Sequence, residues 1–226
     1  MAGVALSEML VAIPPSVLIL TWWMLRVAHL RLRGTRHALP AGEPPIRTMA
    51  VLGSGGHTAE MITLLQGLAV DTYAPRDYVI ATTDHTSAQK IETFESGRGT
   101  YAAGGAPQHR VLRLPRSREV GQSYVTSVAT TLYAMLHAMV LVLRKRPSLL
   151  LCNGPGTCIP VCACAYALRW LGIKYVTIVY VESIARVKTL SLSGKILIHF
   201  ADHFLVQWKQ LEEKYRGRAR YIGRLC

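Results

Sequence analysis

Three glycines in four positions, followed by a histidine and a threonine, form the segment of this chain best suited to chemistry. Gly53–Ser54–Gly55–Gly56–His57–Thr58 follows a short apolar run and leads into a helix-like pattern. A glycine loop between a strand and a helix exposes backbone N–H groups and leaves room for an anion beside them. His57 would stand in the first turn of the helix. The positive end of the helix dipole favours a neutral ring there, and a neutral imidazole can take a proton as a general base. The alternative is a histidine that caps or packs.

Two other segments carry chemistry-bearing residues after strand-like runs. In Asn153–Gly154–Pro155–Gly156–Thr157 the glycines fix a tight turn, and Asn153 could hydrogen-bond a ligand. Otherwise the loop is structural. Glu182–Ser183 follows the apolar run 177–181, where a carboxylate could orient a sugar hydroxyl or act as a base, or cap the next turn. Asp84 closes a further strand-like run.

The glycine loop is a poor dinucleotide fingerprint. Gly53 and Gly55 fit G-x-G-x-x-G, but Thr58 occupies the third glycine position, and Asp84 comes later than the usual spacing. No Walker motif is present, because the Ser193–Gly194–Lys195 run lacks the upstream glycine. A nucleotide-dependent oxidoreductase is therefore the weakest alternative, and no cofactor is expected. Nor is a metal: Cys152, Cys158, Cys162 and Cys164 include no C-x-x-C pair, no histidine completes a zinc set, and no Asp-x-Asp is present. These thiols read as small buried hydrophobes in a reducing compartment. Asn153 is the only asparagine, so no glycosylation sequon exists, which agrees with a cytosolic setting.

The loops need a scaffold, and the pattern of the chain supplies one. Strand-like runs at 46–53, 77–84, 109–115, 148–154, 174–183, 203–208 and 219–223 alternate with helical stretches at about 57–69 and 121–143 and from about 157. This alternation predicts an α/β fold: a Rossmann-like, mostly parallel sheet with the marked loops along its carboxyl edge. The globular domain should occupy residues 47–226, behind an N-terminal part (1–46) that combines an anchor with a basic and proline-rich linker. The uncharged run 9–25 is just long enough to cross a bilayer, ends near Trp22 and Trp23, and precedes Arg26, Arg31, Arg33 and Arg36. A cleaved signal peptide would place its charge before the run rather than after it. The run is read as one transmembrane helix with the rest of the chain on the cytosolic side. Residues 123–143 are also uncharged, but five of the first nine are Ser or Thr, which favours a buried or membrane-apposed crossover helix.

The 226 residues carry a net charge of +13, and half are hydrophobic. Mean hydropathy is +0.24, high for a water-soluble chain. Basic residues are not interleaved with aromatics in the manner of RNA-binding surfaces, so the charge points to anionic lipid or a phosphorylated substrate and not to nucleic acid.

Five ordered motifs carry a resemblance: VLGSGGHTAEM (51–61), RDYVIATTD (76–84), LPRSREVGQSY (114–124), LLCNGPGTCIP (150–160) and IVYVESIARVKTLSLSGKIL (178–197). They resemble the membrane-anchor subunits of the endoplasmic-reticulum N-acetylglucosaminyltransferase that adds the second GlcNAc to dolichol-diphosphate-GlcNAc for asparagine-linked glycosylation. The resemblance runs from about residue 47 to the end. It implies the N-terminal, acceptor-binding half of a GT-B glycosyltransferase split over two chains, with UDP-GlcNAc held by a separate soluble catalytic subunit. A bacterial single-chain relative, which makes lipid II from a lipid-linked monosaccharide, has a similar glycine–histidine loop and a glutamate motif continuing with Gln–Asn; here Ser183–Ile184 follows. By that likeness His57 and Glu182 fall in the catalytic site, and Gly53, Ser54, Gly55, Gly56, Thr58, Asn153, Gly154 and Gly156 line the acceptor site. The other reading is a pure membrane scaffold without active-site residues. The basic segment 214–226 is the expected contact with the soluble subunit.

Overall fold

The computed structural model describes residues 15–35, 44–99, 108–117, 122–154 and 156–226. Seven strands form one sheet in the order β3-β2-β1-β4-β5-β6-β7. They are β1 (Thr48–Val51), β2 (Arg76–Ala81), β3 (His109–Leu114), β4 (Leu149–Asn153), β5 (Thr177–Val181), β6 (His203–Val206) and β7 (Arg220–Tyr221). Every neighbouring pair is parallel. Parallel strands are covered on both faces, so they read as unbroken apolar runs. All residues of β1, β2, β4 and β5 are buried.

The helices divide between the two faces. Met61 and Leu65 of α2 (Gly56–Gln66) and Ile91 of α3 (His85–Gly97) pack with Ala50, Tyr78, Ile80 and Val181 on one side. On the other, α4 (Tyr124–Lys145), α5 (Cys158–Trp170), α6 (Leu192–Leu197) and α7 (Lys209–Lys214) cover Val51, Cys152, Ile178 and Tyr180. The four cysteines of 152–164 are buried free thiols in this second layer. Burial pushes the Cys152 thiol well up, which suits inert packing groups.

Every strand-like run holds a strand, with trimmed ends except that β2 starts one residue early, at Arg76. Three helices were not expected. The one over residues 85–97 has a single fully buried apolar side chain, Ile91, too little for a periodic signal. Its start was nevertheless written in Asp84, whose carboxylate accepts from Ser87 N at 3.0 Å and from Ser87 Oγ at 2.6 Å. Helices α6 and α7 have six residues each, below the length at which periodicity is visible.

The N-terminal helix, α1 (Pro15–Thr35), exposes Leu18, Ile19, Leu20, Trp22 and Leu25. Its apolar part runs from Pro15 to Ala28. Residues 9–14 of the expected span and the linker residues 36–43 lie outside the described residues. Trp23 Nε1 donates to Leu171 O at 3.2 Å and Arg26 Nε to Gly172 O at 3.2 Å, which docks α1 on the turn after α5. Helix α4 is long and apolar enough to cross a membrane. It joins β3 to β4, two parallel strands of the same sheet, and packs along α5. A crossing at α4 would put those strands on opposite sides of a bilayer, so α4 is a crossover helix.

Candidate functional site

Strands β2 and β3 lie on one side of β1, and β4 to β7 on the other, so the strand order reverses between β1 and β4. Such a switch point is the usual ligand position in open parallel sheets, and here the loops leaving the carboxyl ends of those two strands meet there through His57 and Asn153. The glycine loop leaves β1 and the Asn153 loop leaves β4. Val51 pairs with Val79 on one side and Cys152 on the other, which brings both loops to the same level.

His57 stands in the first turn of α2, behind Gly55 at φ 69°. Its Nδ1 lies 3.1 Å from Asn153 Oδ1. The orientation of that amide is fixed by its other end. Asn153 Nδ2 donates to Glu60 Oε2 at 2.9 Å and to Val181 O at 3.3 Å, both of which only accept. Oδ1 is then an acceptor, so His57 carries its proton on Nδ1 and leaves the Nε2 lone pair free. The Asn153 side is fully buried, while a third of the His57 side chain is exposed. Glu60 Oε2 stands 4.0 Å from Nδ1.

Gly154 has φ 82°, and a Cβ there would overlap the His57 ring. Nothing lies within 4 Å of the Cβ position at Gly55, Gly56 or Gly156, so these glycines border open space. Ser54 is exposed beside them. Gly53 is buried, and its carbonyl accepts from Thr58 Oγ1. Thr58 is fully buried, and its Oγ1 lies 2.6 Å from Ser87 Oγ. Its hydroxyl ties the loop to α3 and faces inward.

Residues 48–225 match the family described as "Oligosaccharide biosynthesis protein Alg14 like". The chain belongs to this family. The mouse protein named UDP-N-acetylglucosamine transferase subunit ALG14 is 50% identical over 194 residues, 85% of this chain and 88% of its own. The human protein of that name is 52% identical over 178 residues, 78% and 82% of the two chains, and the fission-yeast one 42% identical over 178 residues, 77% and 81%. Among solved structures, Acinetobacter baumannii MurG superposes with a TM-score of 0.50 at 15% identity, over 74% of this chain and 43% of its own. That likeness is one of fold. The Alg14-like chain thus has the parallel α/β sheet expected of half a GT-B enzyme, and spans less than half of that solved chain.

Glu182 sits otherwise than expected. Its carboxylate is fully buried under α6 and touches no open space. Oε2 accepts from Ser191 N at 3.0 Å and from Ser191 Oγ at 3.1 Å, and Oε1 from Ser183 N at 3.2 Å. A Cβ on Gly194 would overlap Oε2. Burial pushes the Glu182 carboxyl above the ordinary range, and the Ser191 and Ser183 donors pull it part of the way back. Of the two readings open in the sequence, this is the capping one.

Glu60 is the site residue that sequence reasoning missed. Oε2 holds Asn153, and Oε1 accepts from Ser183 Oγ at 2.8 Å. One carboxylate thereby ties α2 to the loops after β4 and β5. The available signal was its position three residues after His57, which places both on one helix face. The chain's last residues close in behind it. Leu225 N donates to Gln207 Oε1 at 2.8 Å, and Leu225 packs against the core layer that holds α2. Among the described residues, no cluster of His, Cys, Asp or Glu could hold a metal ion.

Proposed function

We propose that this chain is the acceptor-binding, membrane-anchoring subunit of a UDP-GlcNAc transferase, and that His57 Nε2 is its general base. The observation that carries the reading is the His57 tautomer, set by Asn153 at the switch point between β1 and β4. The acceptor is GlcNAc joined through a diphosphate to dolichol. Its O4 hydroxyl gives its proton to Nε2 while O4 attacks C1 of the donor sugar. The C1–O bond to UDP breaks, UDP leaves with the electron pair, and the configuration at C1 inverts. The imidazolium so formed is held by Asn153 Oδ1 at 3.1 Å and faces Glu60 at 4.0 Å. Backbone N–H groups around Gly53, Ser54, Gly55 and Gly56 border the acceptor, with Asn153, Gly154 and Gly156 opposite. Thr58 and Glu182 position their loops. The product is chitobiosyl-diphosphodolichol.

UDP-GlcNAc is held by a separate soluble subunit, which meets this chain through the C-terminal region around β7. There the sheet ends in a short edge strand beside exposed Arg216, Arg218, Arg220 and Ile222. The helix α1 anchors the chain in the endoplasmic-reticulum membrane as a single pass, and the basic residues that follow its apolar part keep the domain on the cytosolic face.

The test is His57→Ala in the complex of both subunits in lipid or detergent. Transfer from UDP-GlcNAc to a GlcNAc-diphosphate lipid should fall by about 100- to 10,000-fold, the usual worth of general-base catalysis, while the soluble subunit still co-purifies. Near-normal transfer would make the chain a scaffold and remove the catalytic reading.

A further inference from the structure

A cavity of about 480 Å³ opens at the carboxyl ends of β2 and β3, under the first half of α4. Thr82 and Thr83, Arg116, Gln122 and Tyr133 line it. Its volume is that of an ordinary ligand pocket, and its chemistry is cationic. Among the described residues, Arg116 Nε is buried with no hydrogen-bond partner, a costly arrangement for a charged donor unless a ligand completes it. Arg113 adds a second guanidinium at the rim, where Nη1 donates to Thr82 O at 3.0 Å. Among the described residues lining the cavity, none is acidic. The neighbouring Ser117 Oγ donates to Gly156 O at 3.4 Å, so the cavity adjoins the loop that faces His57.

One wall of this cavity continues as an apolar surface. Val125, Val128, Leu132, Leu136, Val140 and Leu143 recur at helical spacing along α4 and are 37–83% exposed. The opposite face of the helix carries Ala134, Ala138 and Val142, all fully buried, the last two in the core layer against the sheet. The outward stripe does not stop at the helix end. Trp170, Leu171 and Ile173 after α5 are exposed as well, and α1 docks there. At the same end, Lys145, Arg146, Arg47 and Lys174 form a basic cluster; burial and the charges of Arg47 and Arg146 push the Lys174 ammonium down. A basic cluster beside an exposed apolar band complements an anionic leaflet.

We propose that the cavity receives the phosphate groups of a membrane lipid whose hydrocarbon chain lies along the outward face of α4. The proposal rests on the lipid-linked acceptor of the preceding subsection, and assigns Arg116 to its diphosphate. Arg116 then binds the acceptor and takes no part in proton transfer.

The experiment uses the two-subunit complex in detergent, with a polyprenyl acceptor, a short-chain acceptor and inorganic pyrophosphate as probes. In Arg116→Ala, KM for both acceptors should rise about 10- to 100-fold, the factor lost with one charged hydrogen bond. KM for UDP-GlcNAc should stay unchanged, and Arg116→Lys should recover part of the loss. Pyrophosphate should compete with the acceptor in the unaltered complex and weaken at least tenfold in Arg116→Ala. Leu136→Asp, at a residue 68% exposed, should raise KM for the polyprenyl acceptor alone and leave pyrophosphate inhibition intact. Melting temperature and co-purification of the soluble subunit identify a misfolded variant, in which case Arg116→Lys decides. Unchanged acceptor KM and unchanged pyrophosphate inhibition in the Arg116 variants overturn the proposal. An effect of Leu136→Asp equal for long and short acceptors overturns the placing of the chain. Failure of the unaltered complex to use any diphosphate-linked acceptor would instead overturn the parent reading.

Discussion

Gly154→Ala separates backbone strain from displacement of the candidate base. At φ 82° an alanine costs about 1–2 kcal/mol in backbone energy alone. That should lower the melting temperature by about 2–8 °C for a chain of this size. The second effect is local. The added Cβ would stand 2.3 Å from Cε1 and Nδ1 of the His57 ring, and only 2.9 Å from its Cγ. Ordinary carbon contacts begin near 3.4 Å, so the ring must retreat by about 1 Å, a misplacement able to cost about 100-fold in rate. Gly99→Ala is the control. Its φ is 62° with nothing within 4 Å of the new Cβ, so it carries the strain without the collision. Transfer kcat, measured in the two-subunit complex at saturating donor and acceptor, should fall about 100-fold in Gly154→Ala and stay within about twofold in Gly99→Ala, with similar melting temperatures. In a His57→Ala background, Gly154→Ala should cost nothing further, because residues acting through one group are not additive. Equal kcat losses in the two glycine variants, or a full additional loss in the double variant, would refute a fixed ring as the working element.

Two further outcomes follow from the same geometry. Burial raises the Glu182 carboxyl in the folded state, so the native form holds its proton to higher pH than the unfolded chain, and stability from this group is lost as pH rises from about 4.3 through the folded value. Glu182→Gln sets an amide donor against the N–H groups of Ser183 and Ser191 and should cost about 1–3 kcal/mol at low pH, with the gap to the parent narrowing as pH rises; melting temperatures from pH 4.5 to 8 check this, and a widening gap contradicts it. Ile222→Asp, at a side chain 50% exposed beside β7, should release the soluble subunit on co-purification without shifting the melting temperature of the isolated chain, whereas full retention removes this surface from the partner contact.

The sheet was legible because parallel strands buried on both faces are continuous apolar runs, and 177–181 and 149–152 are that. The glycine–histidine loop was legible because its composition has few uses. What sequence spacing could not carry was the direction of side chains at the ends of strands. Glu182 and Asn153 both stand at the carboxyl edge. Yet Asn153 turns toward α2 and meets Glu60, 93 residues earlier, while Glu182 turns under α6 and meets Ser191. That choice depends on helices that cross the edge, and one of them, α6, has only six residues. The surroundings of Thr58 were hidden for a related reason. It occupies the position of the third fingerprint glycine, where α3 approaches, and its hydroxyl meets Ser87, on a helix the sequence pattern did not reveal.

The placing of α1 bears on how the proposed membrane-anchored subunit would reach a lipid acceptor. The helix docks at Leu171 and Gly172, where the chain turns from α5 toward the amino end of β5. His57 and the Arg116 cavity are at the carboxyl ends of the strands, the opposite edge of the sheet. Helix α4 runs between the two edges, and its 22 residues cover about 33 Å at 1.5 Å each. A domain standing upright on its anchor would hold the cavity about that far from the membrane, beyond the reach of a head group whose chain remains in the bilayer. A domain lying with α4 against the leaflet brings the anchor, the basic cluster and the cavity to one level. An outward face of Val, Leu and Tyr on a solvated crossover helix would have no use in the upright arrangement. In the lying one it would let the proposed acceptor enter sideways, with its phosphates at Arg116 and its sugar toward His57.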